Sequence, residues 1–247
     1  MRWERGYRRL ATRIAAEHPH DARLAYHAPR YAFLLRLLDR HLSAPPNRIL
    51  DIGRSVLTDL MAQRLRVPVD SLGFGPDQPT ASGQHYHFDL NRAQHEPDWR
   101  RDLPTYDLLV MAEVIEHLYT APSLVLRFLG TIVRAGGLLV LQTPNAAALG
   151  KRVRLLCGRN PYERIREDRS RPGHFREYTG PELVQDLAGA GFVVEACHYR
   201  SYFDLRYPRG LGEGQAPGWG WHVKEFLYRI APPRLRTGIT LVARRVP

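Results

Sequence analysis

Three short stretches of this chain are apolar almost without a break: RILDI at 48–52, DLLVM at 107–111 and LLVLQ at 138–142. A strand with one wet face alternates apolar and polar residues, whereas a near-continuous apolar run belongs to a strand covered on both faces. Between these runs the period changes. Leu57, Leu60, Met61 and Leu65 follow helical spacing behind Ser55 or Thr58 as a cap, and a second helix covers about 123–133. Buried strands alternating with helices specify parallel pairing, because each parallel return needs a crossover long enough to hold a helix. The expected fold is α/β: a doubly wound, mostly parallel seven-stranded sheet with helices on both faces. In such sheets ligands sit beyond the carboxyl ends of the strands.

The other strands read as Val69–Phe74, a short one at His85–Asp89, Phe192–Tyr199 and Gly238–Arg244. Residues 30–42 place Tyr31, Leu34, Leu35, Leu38 and Leu42 on one helical stripe, which SAPPN at 43–47 ends. Thr179-Gly-Pro-Glu182 opens another helix, closed at Gly189 to Gly191. The 247 residues read as one domain: a helical cap at 1–47, a core at 48–145, a basic lid at 146–177 and a substrate-side part at 178–247. Residues 146–173 are expected to be irregular and to face the substrate, being too long for an ordinary connection. Tyr199 to Tyr207 and the glycine-rich run 210–220 read as a mobile loop. Val223, Phe226, Leu227 and Ile230 follow at helical spacing behind Trp219 and Trp221, as in a packed helix, a substrate lid or a membrane-touching foot.

Composition excludes two classes. No segment approaches the roughly 20 apolar residues of a membrane span, and Cys157 and Cys197 are isolated, with neither the density of a disulfide framework nor the spacing of a metal knuckle. MRWERGYRRLATRIAAEHPH has no uninterrupted apolar core of a secretory signal, so a reducing cytoplasm is the expected setting. The net charge of +11 is concentrated: residues 1–48 hold ten Arg against four acids, and 151–177 hold nine Lys+Arg against four. An anionic partner near those segments is one reading, and arginine-decorated solvated surface is the other.

The suggestive residues fall at strand ends: Asp51 and Gly53, Asp89, Glu113, and Thr143-Pro-Asn145. In AEVIEHL, residues 112–118, a helix would put Glu113, Glu116 and His117 on one face at i, i+3 and i+4. Two carboxylates and an imidazole so placed could hold a divalent cation or deprotonate a hydroxyl. Alternatively, Glu113 caps the helix and His117 packs beneath the lid.

Taken in order, ILDIG, FDLNR, YDLLVMAEVIEHL, GGLLVLQTPN and HFREYTGPELVQDLAGAGF resemble the class I S-adenosylmethionine-dependent methyltransferases over about residues 30–200. Within that superfamily the chain looks most like the O-methyltransferases of quinone, glycan and small-molecule biosynthesis. The resemblance implies a Rossmann-like sheet and S-adenosylmethionine as cofactor. It implies Asp51 and Gly53 beside the methionine part, Asp89 on the adenine amino group with Leu90 by the ring, and the backbone of Met111, Ala112 and Glu113 lining the pocket. That family's first loop usually carries three alternating glycines, and here the last two positions are Ser55 and Leu57. Serine is small enough to remain in a cofactor site, and Leu57 reads as a first-turn helix residue pointing into the core. Where the family tends to place an acid for the ribose, Gly75 stands, with Asp77 two residues on as deputy.

A similar E-x-x-E-H motif holds a divalent metal such as magnesium in small-RNA 2′-O-methyltransferases and in some ubiquinone-pathway O-methyltransferases. That implies Glu113, Glu116, His117 and His174 as ligands here. Without a metal, His117 or His174 is the general base, oriented by Glu113 or Glu116. Three functions compete: methylation of a small-molecule or glycan hydroxyl, on an acceptor that is anionic or carrier-linked; methylation of RNA, which the basic segments favour although no RNA-binding module is visible; and a non-catalytic binding protein with a degenerate cofactor loop. Nicotinamide chemistry is disfavoured by the missing G-x-G-x-x-G.

Overall fold

The computed structural model describes residues 2–17, 22–168, 172–202, 226–227 and 230–247. Of the loop expected from Tyr199 to Tyr207 and at 210–220, Tyr199 and Arg200 end a strand instead, and residues 203–207 and 210–220 lie outside the described residues, as do Trp219, Trp221 and Val223. Two compact units emerge, Met1–Pro45 with Ser201–Pro232 and Pro46–Arg200 with Pro233–Pro247. In the first, α1 (Arg2–Glu17) packs on α2 (Ala22–His41). The stripe read from sequence is buried at Tyr31, Leu34, Leu35 and Leu38, and the Phe33 ring lies 5.2 Å from that of Tyr202.

The second unit is a sheet. Its strands are β1 (Ile49–Ile52), β2 (Val69–Gly73), β3 (Gln78–Pro79), β4 (Gln84–His87), β5 (Tyr106–Ala112), β6 (Val133–Pro144), β7 (Phe192–Arg200) and β8 (Gly238–Arg245). The spatial order is β3-β4-β2-β1-β5-β6-β8-β7. The five strands from β4 to β6 run parallel, while β8 lies antiparallel between β6 and β7. Seven of these are the expected strands. The eighth, β3, is a two-residue antiparallel addition to the edge at β4, too short to leave a periodic signal.

Helices α3 (Val56–Leu65), α4 (Pro122–Ile132) and α6 (Gly180–Gly189) are the crossovers, and α5 (Leu149–Leu156) lies within the basic segment 146–177. The helix α6 starts as its sequence predicts, with Glu182 accepting hydrogen bonds from the Thr179 amide at 2.8 Å and its hydroxyl at 2.7 Å. One buried layer joins Leu50, Ile52, Leu109, Met111, Leu139 and Leu141 of the sheet to Phe128, Leu183 and Leu187 of α4 and α6. Phe88 and Trp99 close its edge, with ring centroids 4.6 and 5.8 Å from Phe128.

Two expectations about local structure are corrected. The segment at 146–173 is not wholly irregular, because α5 occupies its first third. AEVIEHL does not open an α-helix. Glu113 instead gives its amide to the Gln142 carbonyl at 2.8 Å, prolonging the β5–β6 ladder, and then turns left-handed at φ 59°. Only Ile115–His117 forms a single 3-10 turn.

The candidate active site

The chain passes from β1 to β2 and β4 on one side, then returns to β5 on the other, so the order reverses between β1 and β5. This is where such sheets leave a crevice. Register levels the strand ends there: Ile52 pairs with Met111, and Met111 with Leu141, which sets Gly53 level with Ala112 and Gln142, one residue before Glu113 and Thr143. Gly53 adopts φ 77°, and a Cβ at that position would come within 3.1 Å of Val114 Cγ2. Both observations require glycine.

The two positions where family glycines are missing have structural occupations. Ser55 is the N-cap of α3, its Oγ accepting from the Leu57 amide at 3.2 Å. Thr58 Oγ1 accepts from the Ser55 amide at 3.0 Å and donates to Asp51 at 2.6 Å. Asp51 is buried and braces the first turn of α3 through this chain of bonds. Leu57 is 1% exposed and belongs to the core, while Val56 is 37% exposed. The helix cap thus takes over the shaping of a loop that glycines shape elsewhere, and the missing Cβ at Gly53 makes room for the Val114 side chain.

On the flank of the crevice, Asp89 caps a 3-10 turn at Leu90–Gln94, its Oδ1 accepting from the Asn91 amide at 2.9 Å. Leu90 and Met111 are buried. Asp77 lies on the sheet edge, where Arg100 pairs with it at 2.9 Å and the His87 amide donates to it at 2.5 Å. The Arg100 guanidinium holds the Asp77 carboxyl below its ordinary range. Its role is to fasten the β2–β3 loop to β4, and a ribose there would have to compete with Arg100.

The second group joins residues 116 and 117 to residue 174. Glu116, His117 and His174 present ligand atoms that all lie within 4.8 Å of one another. Glu116 is fully buried and accepts from the Thr143 hydroxyl at 2.9 Å. Its backbone carbonyl accepts the Phe175 amide at 2.8 Å, so the HFREYT segment is hydrogen-bonded along the EVIEH turn. His117 Nδ1 lies 2.9 Å from the Gly173 carbonyl. A carbonyl only accepts, so Nδ1 carries the proton and Nε2 is left with its lone pair, 4.0 Å from the Glu116 carboxylate. The two imidazoles meet edge to face at 4.7 Å. Glu113 is not in this trio.

Two members were absent from the sequence reading. Glu177 approaches His174 Nδ1 at 3.4 Å and forms an ion pair with Lys151, which in turn donates to the Asn145 carbonyl at 3.1 Å. Burial pulls the Lys151 ammonium down to about 8 against the upward pull of Glu113 and Glu116. Only a lone lysine in an arginine-rich lid, and an acid three residues after His174, could have announced them.

A buried carboxylate beside two imidazoles, one of them with its other nitrogen on a backbone carbonyl, is a donor set that suits a divalent transition metal. The same set suits proton abstraction. Gly53, the capped turn and Asp89 lie at or beside the strand ends, where a sheet of this kind takes its ligand. Fold and site together define a class I S-adenosylmethionine-dependent methyltransferase. The chain belongs to the methyltransferase-domain family, whose model matches residues 21–196.

Solved structures agree on the fold. A SAM-dependent methyltransferase from Archaeoglobus fulgidus shares 15% identity at a TM-score of 0.52, covering 87% of this chain and 94% of that one. A Haloferax volcanii complex with the Trm112 methyltransferase activator gives 12% identity and a TM-score of 0.57, over 96% and 94%. The [4+2]-cyclase SpnF gives 14% and 0.55, over 89% and 81%. No curated protein matches the chain in sequence. Among the described residues no helix is long and apolar enough to cross a membrane.

Proposed function

We propose that the protein methylates an oxygen of a small molecule or a sugar hydroxyl, with His117 as the proton acceptor. The observation that carries this is the Nδ1 contact of His117 with the Gly173 carbonyl at 2.9 Å, which leaves Nε2 of this half-exposed side chain as the nitrogen that can accept a proton. S-adenosylmethionine, when bound, supplies a sulfonium methyl group. The residues of the chain then do three things. Gly53 and the backbone at Met111, Ala112 and Glu113 border the donor, with Asp89 on the adenine amino group and Leu90 against the ring. His117 Nε2 takes the proton as the acceptor oxygen forms its bond to carbon, and Glu116 stabilises the resulting imidazolium. Glu177 orients His174, and Lys151 pairs with Glu177 and holds it in place.

A divalent cation is a second reading, supported by the 4.8 Å trio. Glu116, His117 and His174 would hold it, Glu113 being the one ligand of the sequence reading left outside. Its chemistry would be to acidify the acceptor hydroxyl.

Calorimetric titration with S-adenosylhomocysteine tests the donor side. Asp89→Ala is expected to weaken binding about ten- to hundredfold, the worth of a hydrogen bond to a charged group. Unchanged affinity would mean that the adenine lies elsewhere. Tritiated donor offered to a panel of catechols, glycans and amines tests the acceptor side. The expected product is an alkali-stable ether, lost about 10²- to 10⁴-fold in His117→Gln. Methylated amines instead of ethers would overturn the oxygen assignment.

A further inference from the structure

The helix α5, LGKRVRLL, contributes nothing to the core, since none of its side chains is buried. Leu149, Val153 and Leu156 recur at i, i+4 and i+7 and so lie on one stripe. Leu156 is 87% exposed, Val153 and Leu155 are half exposed, and Tyr162 and Ile165 follow as further exposed apolar side chains. A short helix gains its stability in proteins by burying an apolar face. This one shows its apolar face to water. Cations surround it: Arg152, Arg154 and Arg159 are exposed, Lys151 turns inward to Glu177, and residues 149–162 contain no acid.

We propose that α5 and the segment after it dock the protein on an anionic lipid bilayer. Charge complementarity selects this occupant. A bilayer interface offers phosphates to the arginines and acyl chains to the leucines within a few ångströms of each other, which is what an amphipathic basic helix requires. A nucleic acid would pair with the arginines but leave Leu155 and Leu156 against phosphate or water, and α5 has no aromatic side chain on which a base could stack. The surface also has a functional place. Lys151, on the same helix, reaches the Asn145 carbonyl at the end of β6, beside Thr143 and the Glu116 carboxylate. A protein held by α5 would therefore present its acid-and-imidazole cluster close to the headgroup plane, where an acceptor carried on a lipid would meet it.

The test is co-sedimentation of the full chain with phosphatidylcholine vesicles, with and without about a third of phosphatidylglycerol. Binding is expected with the anionic vesicles alone, falling as salt rises. Arg152→Ala with Arg154→Ala should lower the partition coefficient about 30-fold, each charge near the surface being worth about fivefold. Leu156→Asp should abolish binding. All these positions are exposed, so S-adenosylhomocysteine titration should be unchanged in every variant. No binding to anionic vesicles, wild-type binding by Leu156→Asp, or preference for a single-stranded RNA over the vesicles would each overturn the docking surface while leaving the methyltransferase reading intact. Failure to bind S-adenosylhomocysteine would do the reverse.

Discussion

Replacing Leu57 by alanine decides what the altered first loop of this protein has become. If Leu57 stands where a donor would lie, shortening it opens the site; if it is core, shortening it only weakens the fold. At 1% exposure the side chain is buried, below the capped turn formed by Ser55 and Thr58. The change deletes three carbons, about 2.4 kcal/mol of transfer free energy at about 0.8 kcal/mol per methylene. The residual cavity adds to this, and buried Leu→Ala changes in a helical core have ranged over about 2.7–5 kcal/mol. A loss of about 3 kcal/mol is expected here, because one turn of α3 next to the loop can relax partly into the space. With a urea m-value of about 2–3 kcal/mol/M, the midpoint followed by far-ultraviolet circular dichroism moves about 1–1.5 M lower. Affinity for S-adenosylhomocysteine, measured on the folded fraction at low temperature, stays within about twofold, on the order of 0.4 kcal/mol. The reasoning is refuted by the opposite pair of results: a stability loss below about 1 kcal/mol together with clearly tighter ligand binding.

Gly53→Ala should cost about 1–2 kcal/mol for the left-handed backbone, with an added share from the 3.1 Å approach to Val114. The double variant with Val114→Ala recovers only the steric share, and full recovery in urea melts would show that backbone strain is absent. Lys151 titrates at about 8 because burial penalises its charge, so the native state binds fewer protons there than the unfolded chain between about 8 and the ordinary lysine value near 10.4. This group therefore makes the fold more stable as pH rises across that interval and contributes its full penalty below it. The ¹³C-dimethyl resonance of Lys151 should follow a midpoint near 8, and a midpoint above 10 would show the ammonium to be solvated.

Much of the sheet is legible because its signals are local. Leu138 to Gln142 forms part of β6 as read, and Ser55 caps α3 because its side chain is two residues from the amide it receives. Gly53 is readable for the same reason, as a backbone requirement of one turn. The EVIEH reading failed at the same scale. Its residues fit a helical template, but the Glu113 amide was already committed to the Gln142 carbonyl, a partner 29 positions away that no window around residue 113 contains.

By itself, then, the sequence determined the alternation of buried strands with helices, the caps, the glycine at the first turn and the set of residues at the strand ends. The tertiary structure alone decided which of those residues meet. His117 and His174 are neighbours only because the Gly173 carbonyl and the Phe175 amide bond to the EVIEH turn, and Lys151 and Glu177 join them only when α5 and HFREYT return to the same strand end. Periodicity and capping act over one or two turns of chain, whereas this side-chain cluster is made by hydrogen bonds between segments whose proximity is a property of the assembled sheet.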